Sequence, residues 1–191
     1  MVYEKKPWLK FYDDHVPETI DYPHTTMYKA IAESCRVHSD KTVFDFEGFT
    51  MTYGELLDEI DQFARGLYNQ GLREGDTITI SMPTSPQGII AFYAANKIGA
   101  VASMIHPLSP PKEVEFYLNL SESKFAMTLD MFYENFGEIL DKTSVEKVII
   151  AKIPDYLPKI KSFLFWLIKG RTIKVPEDPR NVYWKEIMKG S

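Results

Sequence analysis

The sequence predicts an α/β fold in which helices flank an open, largely parallel sheet, preceded by an N-terminal arm and a hairpin. The main observation is that short apolar runs alternate with helical patterns between residues 77 and 150. Strands joined by crossovers of this length pair in parallel, and the helices cover the faces of the sheet. A second observation is the composition: 191 residues with 45% hydrophobic side chains can bury a substantial core.

The elements before the sheet are an arm, a helix and a hairpin. Residues 1–24 are rich in aromatic residues and prolines, and we expect the aromatic side chains to pack on the body of the protein. Thr25 or Thr26 caps a predicted helix that ends near Val37. Residues 41–46 and 49–53 then predict two strands joined by a turn that contains a glycine.

Capping patterns mark the next elements. Thr52-Tyr-Gly-Glu55 is typical of a capping box, and it predicts a helix that ends at Gly71. After a predicted strand over residues 77–82, Ser85-Pro86 combines a cap with a proline at the first helical position. The helix that starts there is expected to end at Gly99.

The alternation continues to residue 150 and then stops. It predicts helices over residues 110–120 and 130–141, and strands over residues 100–105, 124–128 and 145–150. We therefore divide the chain into an α/β segment, residues 1–150, and a basic segment with an apolar helix, residues 151–191. Net charge follows the same division, at −10 and +5 respectively. A second, short helix is expected around Trp184.

Composition excludes several classes of protein. A net charge of −5 and a pI near 5.4 argue against nucleic acid as a partner. Cys35 is the one cysteine, so the chain forms no internal disulfide, and we interpret it as a buried structural thiol rather than a nucleophile. The first residues show no apolar run that could serve as a secretory signal. We expect a cytoplasmic location.

Catalytic and metal sites find no support in the sequence. The four histidines lack metal-ligand spacing, and neither common phosphate-loop motif is present. We assign no catalytic residue and no metal ligand. His106 is a candidate for a substrate pocket because it follows the carboxyl end of a predicted strand, where open α/β sheets bind ligands. The alternative is a loop histidine that hydrogen-bonds to the backbone.

An apolar run near residue 165 is a candidate for membrane contact. Basic residues flank the run, which suits contact with anionic lipid at the inner face of a membrane. They are Lys159, Lys161, Lys169, Arg171 and Lys174. The alternative is a helix that is buried against a part of the protein outside this sequence. The candidate contact residues are Phe163, Leu164, Phe165, Trp166 and Leu167.

Five pieces of sequence occur in an order typical of one enzyme family. They are Pro7-Trp-Leu9, Thr52-Tyr-Gly-Glu-Leu56, Gly71-Leu-Arg-Glu-Gly-Asp76, Lys97-Ile-Gly-Ala-Val101 and His106-Pro107. In this order they resemble the N-terminal part of the AMP-forming acyl-CoA ligases, and most of all the bacterial long-chain fatty-acid–CoA ligases. His106 departs from the family pattern, which usually has asparagine before the proline.

The resemblance implies a reaction for a complete enzyme. A carboxylic acid, expected to be a fatty acid, attacks the α-phosphate of Mg²⁺-bound ATP to give an acyl-adenylate, and CoA then displaces AMP. The family's Ser/Thr/Gly-rich phosphate loop is absent from these 191 residues. We therefore expect an incomplete part of a larger N-terminal domain that is inactive alone, does not bind ATP, Mg²⁺ or CoA tightly, and partners the remainder of its own polypeptide.

Other interpretations stay open. Within the same superfamily, the chain could belong to an aryl-acid ligase or to an adenylation domain that serves a carrier protein. A different class is a non-catalytic α/β module from a short or split gene, which binds a partner or a membrane through residues 159–174. A third is a small, self-sufficient nucleotide-binding protein, although the missing phosphate loop argues against it.

Overall fold

Helices and strands alternate along most of the chain, as the sequence predicts. The computed structural model describes residues 5–170 and 172–190. The helices are α1 (Met27–Val37), α2 (Tyr53–Asn69), α3 (Pro86–Ile98), α4 (Pro111–Leu120), α5 (Glu134–Gly137), α6 (Lys159–Phe165), which a π-helical turn (Trp166–Gly170) extends, and α7 (Trp184–Lys189). The strands are β1 (Thr42–Phe46), β2 (Phe49–Thr52), β3 (Thr77–Ser81), β4 (Val101–Met104), β5 (Phe125–Leu129), β6 (Lys147–Ala151) and β7 (Asn181–Tyr183).

Five of the strands form one parallel sheet in the order β4-β3-β5-β6-β7. Strand β3 lies between β4 and β5, with Ile78 aligned to Ala102 on one side and to Phe125 on the other. The chain first adds β4 on one side of β3 and then adds the later strands on the opposite side. The predicted open parallel sheet is therefore confirmed, and its order reverses between β3 and β5.

Helices cover both faces of the sheet because its central strands are apolar on both sides. Phe125 and Met127 of β5 point into a core shared with α2, α3 and α7, while Ala126 points into a second core with α4 and α5. Strand β6 alternates in the same way, with Ile149 in the first core and Ile150 in the second. The result is a three-layer α/β/α arrangement.

The predicted helix caps are confirmed in atomic detail. The Oγ1 of Thr52 accepts from the backbone N–H of Glu55 at 3.2 Å, and the Glu55 carboxylate accepts from the backbone N–H of Thr52 at 2.8 Å. Ser85 caps α3 through Gly88 N–H, and Gly99 ends it with φ of +84°. These ends are predictable because capping depends on residues only a few positions apart.

The predicted helix over residues 130–141 is wrong. Only Glu134–Gly137 is α-helical, between 3₁₀ turns at Asp130–Phe132 and Leu140–Lys142. Tyr133, Phe136 and Ile139 are all buried at a spacing of three residues, which matches the 3₁₀ period rather than the α period.

The sequence does not predict β7, whereas it does predict the short helix α7. β7 pairs with β6, and α7 then packs on α2, where the Trp184 ring stacks on Phe63 with centroids 4.0 Å apart. Sheet and core therefore continue across residue 150. The division of the chain into residues 1–150 and 151–191 stays a prediction about how the parent domain is organised.

The N-terminal elements agree only in part with the prediction. The hairpin is confirmed, with Glu47 and Gly48 both at positive φ in the turn. The arm is different, because Phe11 and Tyr22 are 78% and 80% exposed rather than packed. Within residues 6–24 the only regular element is a 3₁₀ turn at Leu9–Phe11, so successive side chains have no common direction toward the body.

Candidate functional site

The carboxyl edge of the parallel sheet brings together the residues that follow each strand. His106 lies beyond β4, Asp130 follows β5 and Lys152 follows β6. The strand order reverses between β3 and β5, and open α/β sheets bind ligands outside the carboxyl ends of their strands at such a point. This edge is therefore the first place to look for a site.

Polar groups are buried where β3 and β5 end. Ser81 and Thr128 are aligned partners in the sheet, and both are buried. Ser81 Oγ finds no hydrogen-bond partner among the described residues, whereas Gln87, also buried, donates from Nε2 to the Lys152 carbonyl at 3.0 Å. A buried hydroxyl without a hydrogen-bond partner costs about 1–3 kcal/mol of stability. The point where the strand order reverses therefore holds such a hydroxyl group.

A cleft of about 490 Å³ opens beyond the ends of β5 and β6. We call it the α6 cleft, because α6 and the following turn form its apolar side. The apolar lining residues are Pro154, Phe163, Phe165, Trp166 and Ile173. Ser162 lies between them and donates its hydroxyl to the Pro154 carbonyl at 3.4 Å, which connects α6 to the turn after β6.

The other side of the α6 cleft is charged. The lining residues there are Asp130, Lys152, Asp155, Lys159 and Lys185. Asp155 is only 6% exposed; it pairs with Lys185 Nζ at 3.0 Å and accepts from the backbone N–H of Lys152 at 3.1 Å. Its charge is thus already compensated. In the described part of the chain, no carboxylate lies within ion-pairing distance of Lys159 or Lys152.

Asp130 has an unusual environment for an aspartate. Burial raises the pKa of its carboxyl group, and the hydrogen bond from Met131 N–H at 2.8 Å and the positive charge of Lys152 oppose that shift only in part. The charged form is therefore less favourable here than in water. A proton or a neighbouring cation would stabilise this side of the cleft.

Tyr156 anchors the turn that follows β6, next to the cleft. Its hydroxyl donates to Glu59 Oε2 of α2 at 2.7 Å. Burial, together with the nearby negative charge of Glu59, raises the pKa of Tyr156 far above its ordinary value, so the phenol stays protonated. The turn after β6 is thus anchored to α2 and to the first core.

The five membrane-contact candidates lie together on α6 and the turn that follows it. Phe163, Leu164, Trp166 and Leu167 are 47–60% exposed, and Phe165 is half-buried. The Phe163 and Trp166 rings stack with centroids 6.0 Å apart. Among the basic flanks, Lys161 bonds to Glu47 in the hairpin turn at 3.2 Å, while Arg171 and the side chain of Lys169 lie outside the described residues.

His106 lies apart from the α6 cleft. It is exposed in the loop after the edge strand β4, and its Nδ1 accepts from the backbone N–H of Leu108 at 3.2 Å. This bond fits a histidine that shapes its own loop. Its assignment to a substrate pocket stays a prediction.

Cys35 and the acidic residues add no metal or nucleophile site. Cys35 is fully buried, and burial raises the pKa of its thiol, as expected of a structural cysteine. Within residues 5–170 and 172–190, no three His, Cys, Asp or Glu side chains converge to hold a metal ion. Over the same residues, no helix is both long and apolar enough to cross a bilayer.

Sequence reasoning missed the charged side of the cleft. Asp130 and Lys152 each follow a strand directly, so the rule that points to His106 could also have found them. Lys185 and Lys159 had no such signal. Lys185 follows β7, a strand that the sequence does not predict, and Lys159 reaches the cleft only through the path of α6.

Comparison with known proteins identifies relatives of this chain. The sequence model described as "AMP-binding enzyme" matches residues 31–180. A long-chain-fatty-acid–CoA ligase of Bacillus subtilis is 26% identical over 174 residues, which cover 91% of this chain and 31% of that protein. An acetyl-coenzyme A synthetase of Shewanella sp. (strain ANA-3) is 31% identical over 176 residues, covering 77% of this chain and 26% of that protein.

Solved structures give the same result for the fold. A crystal structure of a long-chain-fatty-acid–CoA ligase from Archaeoglobus fulgidus superposes with a TM-score of 0.66 at 26% identity, covering 73% of this chain and 29% of that chain. The chain therefore spans about a third of the length of the relatives that it matches. It corresponds to one part of a larger architecture.

Proposed function

This chain belongs to the AMP-binding enzyme family, and from that premise we propose that its parent protein is an ATP-dependent acid–thiol ligase that acts on fatty acids. In this reaction the carboxylate attacks the α-phosphate of ATP and releases pyrophosphate, which gives an acyl-adenylate. The thiol of CoA then attacks the acyl carbon and releases AMP. The substrates are the fatty acid, ATP and CoA, and Mg²⁺ accompanies ATP.

The observation that carries this proposal is the similarity to the Bacillus subtilis long-chain-fatty-acid–CoA ligase over 91% of the chain. The apolar surface of α6 supports a hydrophobic acid, because a carboxylic acid with a long chain needs apolar surface along its path. The acetyl-coenzyme A synthetase relative makes a short acid the main alternative.

Residues 1–191 have the role of a scaffold in this proposal. Transfer of the adenylyl group needs backbone donors and a cation around the phosphates. The sequence holds no phosphate loop, and the described residues hold no metal cluster. We propose that the chain alone is inactive and binds neither ATP nor CoA tightly, and that the remainder of its polypeptide supplies the chemistry and packs beside this sheet.

A test of the substrate class uses the protein encoded by the complete gene. It would be incubated with ATP, Mg²⁺, CoA and one of four acids: acetate, octanoate, palmitate or benzoate. Acyl-CoA products are measured by mass spectrometry. We expect the highest kcat/KM with octanoate or palmitate. A preference for acetate or benzoate would refute the fatty-acid assignment while leaving the ligase assignment in place.

A second function, contact with a membrane surface, is favoured by the exposed apolar side chains of α6. Phe163, Leu164 and Trp166 are exposed in a segment that also carries Lys159 and Lys161. Apolar side chains next to lysines suit the boundary of an anionic bilayer, and they suit a cytoplasmic enzyme that collects its acid at the inner face. Without ligase activity, the same surface would define a non-catalytic membrane-binding module.

Vesicle sedimentation tests the membrane contact. We expect binding to vesicles that contain anionic lipid and little binding to neutral vesicles. The double variant Phe163→Ser/Leu167→Ser should lose most of that binding, whereas Leu108→Ser, which changes an exposed leucine on another loop, should retain it. Equal binding by both variants would refute the assignment of this surface.

A further inference from the structure

The α6 cleft combines two kinds of surface that an amphiphilic ligand needs. Rings of Phe163, Phe165 and Trp166 line one side, and lysines line the other. Trp166 is seven positions after Lys159, or roughly 10 Å along the helix axis at 1.5 Å per residue. An apolar chain can therefore extend along α6 while a charged group stays near its first turn.

The charges that line the α6 cleft determine whether the charged group of the ligand is positive or negative. Asp155 and Lys185 compensate each other, which leaves Asp130 facing Lys152 and Lys159. Two lysines thus stand against one carboxyl group, and the Lys152 Nζ also lies 5.1 Å from the centre of the Tyr183 ring. The balance favours a negatively charged ligand head.

We infer that the α6 cleft binds a single fatty-acid molecule, with its carboxylate at Lys159 and Lys152 and its chain against Phe163, Phe165 and Trp166. The inference rests on the proposed action of the parent protein on fatty acids. It adds a holding site for the substrate within this chain, next to the surface proposed to meet the membrane. The site takes no part in adenylation.

The cleft and the membrane-contact surface share Phe163, Phe165 and Trp166, but their other residues differ. Phe165 is half-buried and lines the cleft, whereas Leu164 and Leu167 are exposed and do not line it. Lys161 also lies outside the lining and bonds to Glu47 instead. Lys159→Gln and Lys161→Gln therefore form a matched pair: each removes one exposed positive charge from α6, and only the first removes it from the cleft.

The test is calorimetric titration of the full chain of 191 residues with dodecanoate below its micellar concentration. We expect saturation at one ligand per chain, with affinity that rises about fourfold per methylene from octanoate to dodecanoate if the chain is buried. Lys159→Gln should weaken binding at least fivefold, and Lys161→Gln by less than twofold. Dodecanol, which has the same chain without the charge, should bind at least tenfold more weakly than dodecanoate.

Several results would overturn the inference. One is titration without saturation, and another is equal loss of affinity in the two lysine variants. Equal affinity for dodecanol and dodecanoate would show apolar adsorption alone. A lipid headgroup as the true ligand would appear as loss of anionic-vesicle binding in Lys159→Gln with unchanged affinity for dodecanoate.

The same data separate this inference from the proposed function. If the parent protein forms acyl-CoA from fatty acids but dodecanoate does not bind the chain, the cleft assignment is wrong and the enzyme assignment stands. If dodecanoate binds in a manner that depends on Lys159 while the parent protein activates only acetate, the proposed substrate class is wrong.

Discussion

Substitution of Gly66 by alanine tests whether the end of the chain is docked on α2. In an ordinary helix interior this change stabilises by about 1 kcal/mol, because glycine has the greater conformational freedom when unfolded. Here a methyl group at position 66 would meet Ile187 Cγ2 and would lie 2.5 Å from the carbonyl oxygen of Ile187. A backbone carbonyl cannot rotate away, so α7 must shift or undock.

The expected magnitude follows from these two opposing terms. Overpacking of a close contact costs about 1–3 kcal/mol, and contact with backbone favours the upper end of that range. After the gain in helix propensity, Gly66→Ala should destabilise by about 2 kcal/mol, which lowers the urea midpoint by roughly 1 M at an m value near 2 kcal/mol/M.

The assay is urea unfolding of the chain, followed by far-UV circular dichroism and by tryptophan fluorescence. Arg65→Ala is the control, since Arg65 is exposed on the same helix and its change should leave the midpoint within about 0.3 M. If Gly66→Ala is as stable as the native chain, or more stable, then α7 does not pack on α2 as described.

Three further predictions concern charge and capping. Asp178 is held by Arg180 through two bonds of 2.7 and 2.9 Å, which lower the pKa of Asp178 to about 2. Because solvent screens this pair at the surface, Asp178→Asn should cost about 1 kcal/mol at pH 7. The stability that the charged Asp178 contributes is present above pH 4 and is lost as the pH falls toward 2. The urea midpoints of the native chain and of Asp178→Asn should therefore converge near pH 2, and midpoints that stay apart would contradict the prediction. Asp130→Asn should raise the melting temperature at pH 7, because burial raises the pKa of Asp130 and makes its charged form unfavourable. This gain in melting temperature should fade toward pH 4. A lower melting temperature of the variant at pH 7 would contradict the argument. Thr52→Ala removes the cap of α2 and should destabilise by about 1 kcal/mol in urea unfolding, whereas Thr50→Ala on the exposed side of β2 should change little, and equal losses would refute the capping argument.

Prediction from sequence works best where structure is decided locally. Thr52, Ser85 and Gly99 mark helix ends through contacts within a few residues, and all three are confirmed. Strand β7 is different, since three residues form a strand there only because β6 offers its edge. The spacing of Tyr133 and its buried neighbours shows a related effect, because packing against the sheet replaces an α-helix by 3₁₀ turns.

The candidate site likewise has one part that the sequence predicts and one part that it does not. The apolar run around Trp166 is visible in the sequence because its members are consecutive. The residues of the charged side of the α6 cleft come from four separate positions in the sequence, Asp130, Lys152, Lys159 and Lys185. The order of the strands and the path of α6 bring them together. No local pattern carries that information.

ATP–pyrophosphate exchange tests the central claim most directly. The protein encoded by the complete gene and the chain of residues 1–191 would be compared, each with Mg²⁺, ATP, labelled pyrophosphate and palmitate or octanoate. We expect exchange that depends on the fatty acid from the complete protein and none from residues 1–191, because we propose that the rest of the polypeptide supplies the phosphate chemistry. Exchange by residues 1–191 alone, or no exchange by the complete protein with any carboxylic acid, would contradict the account.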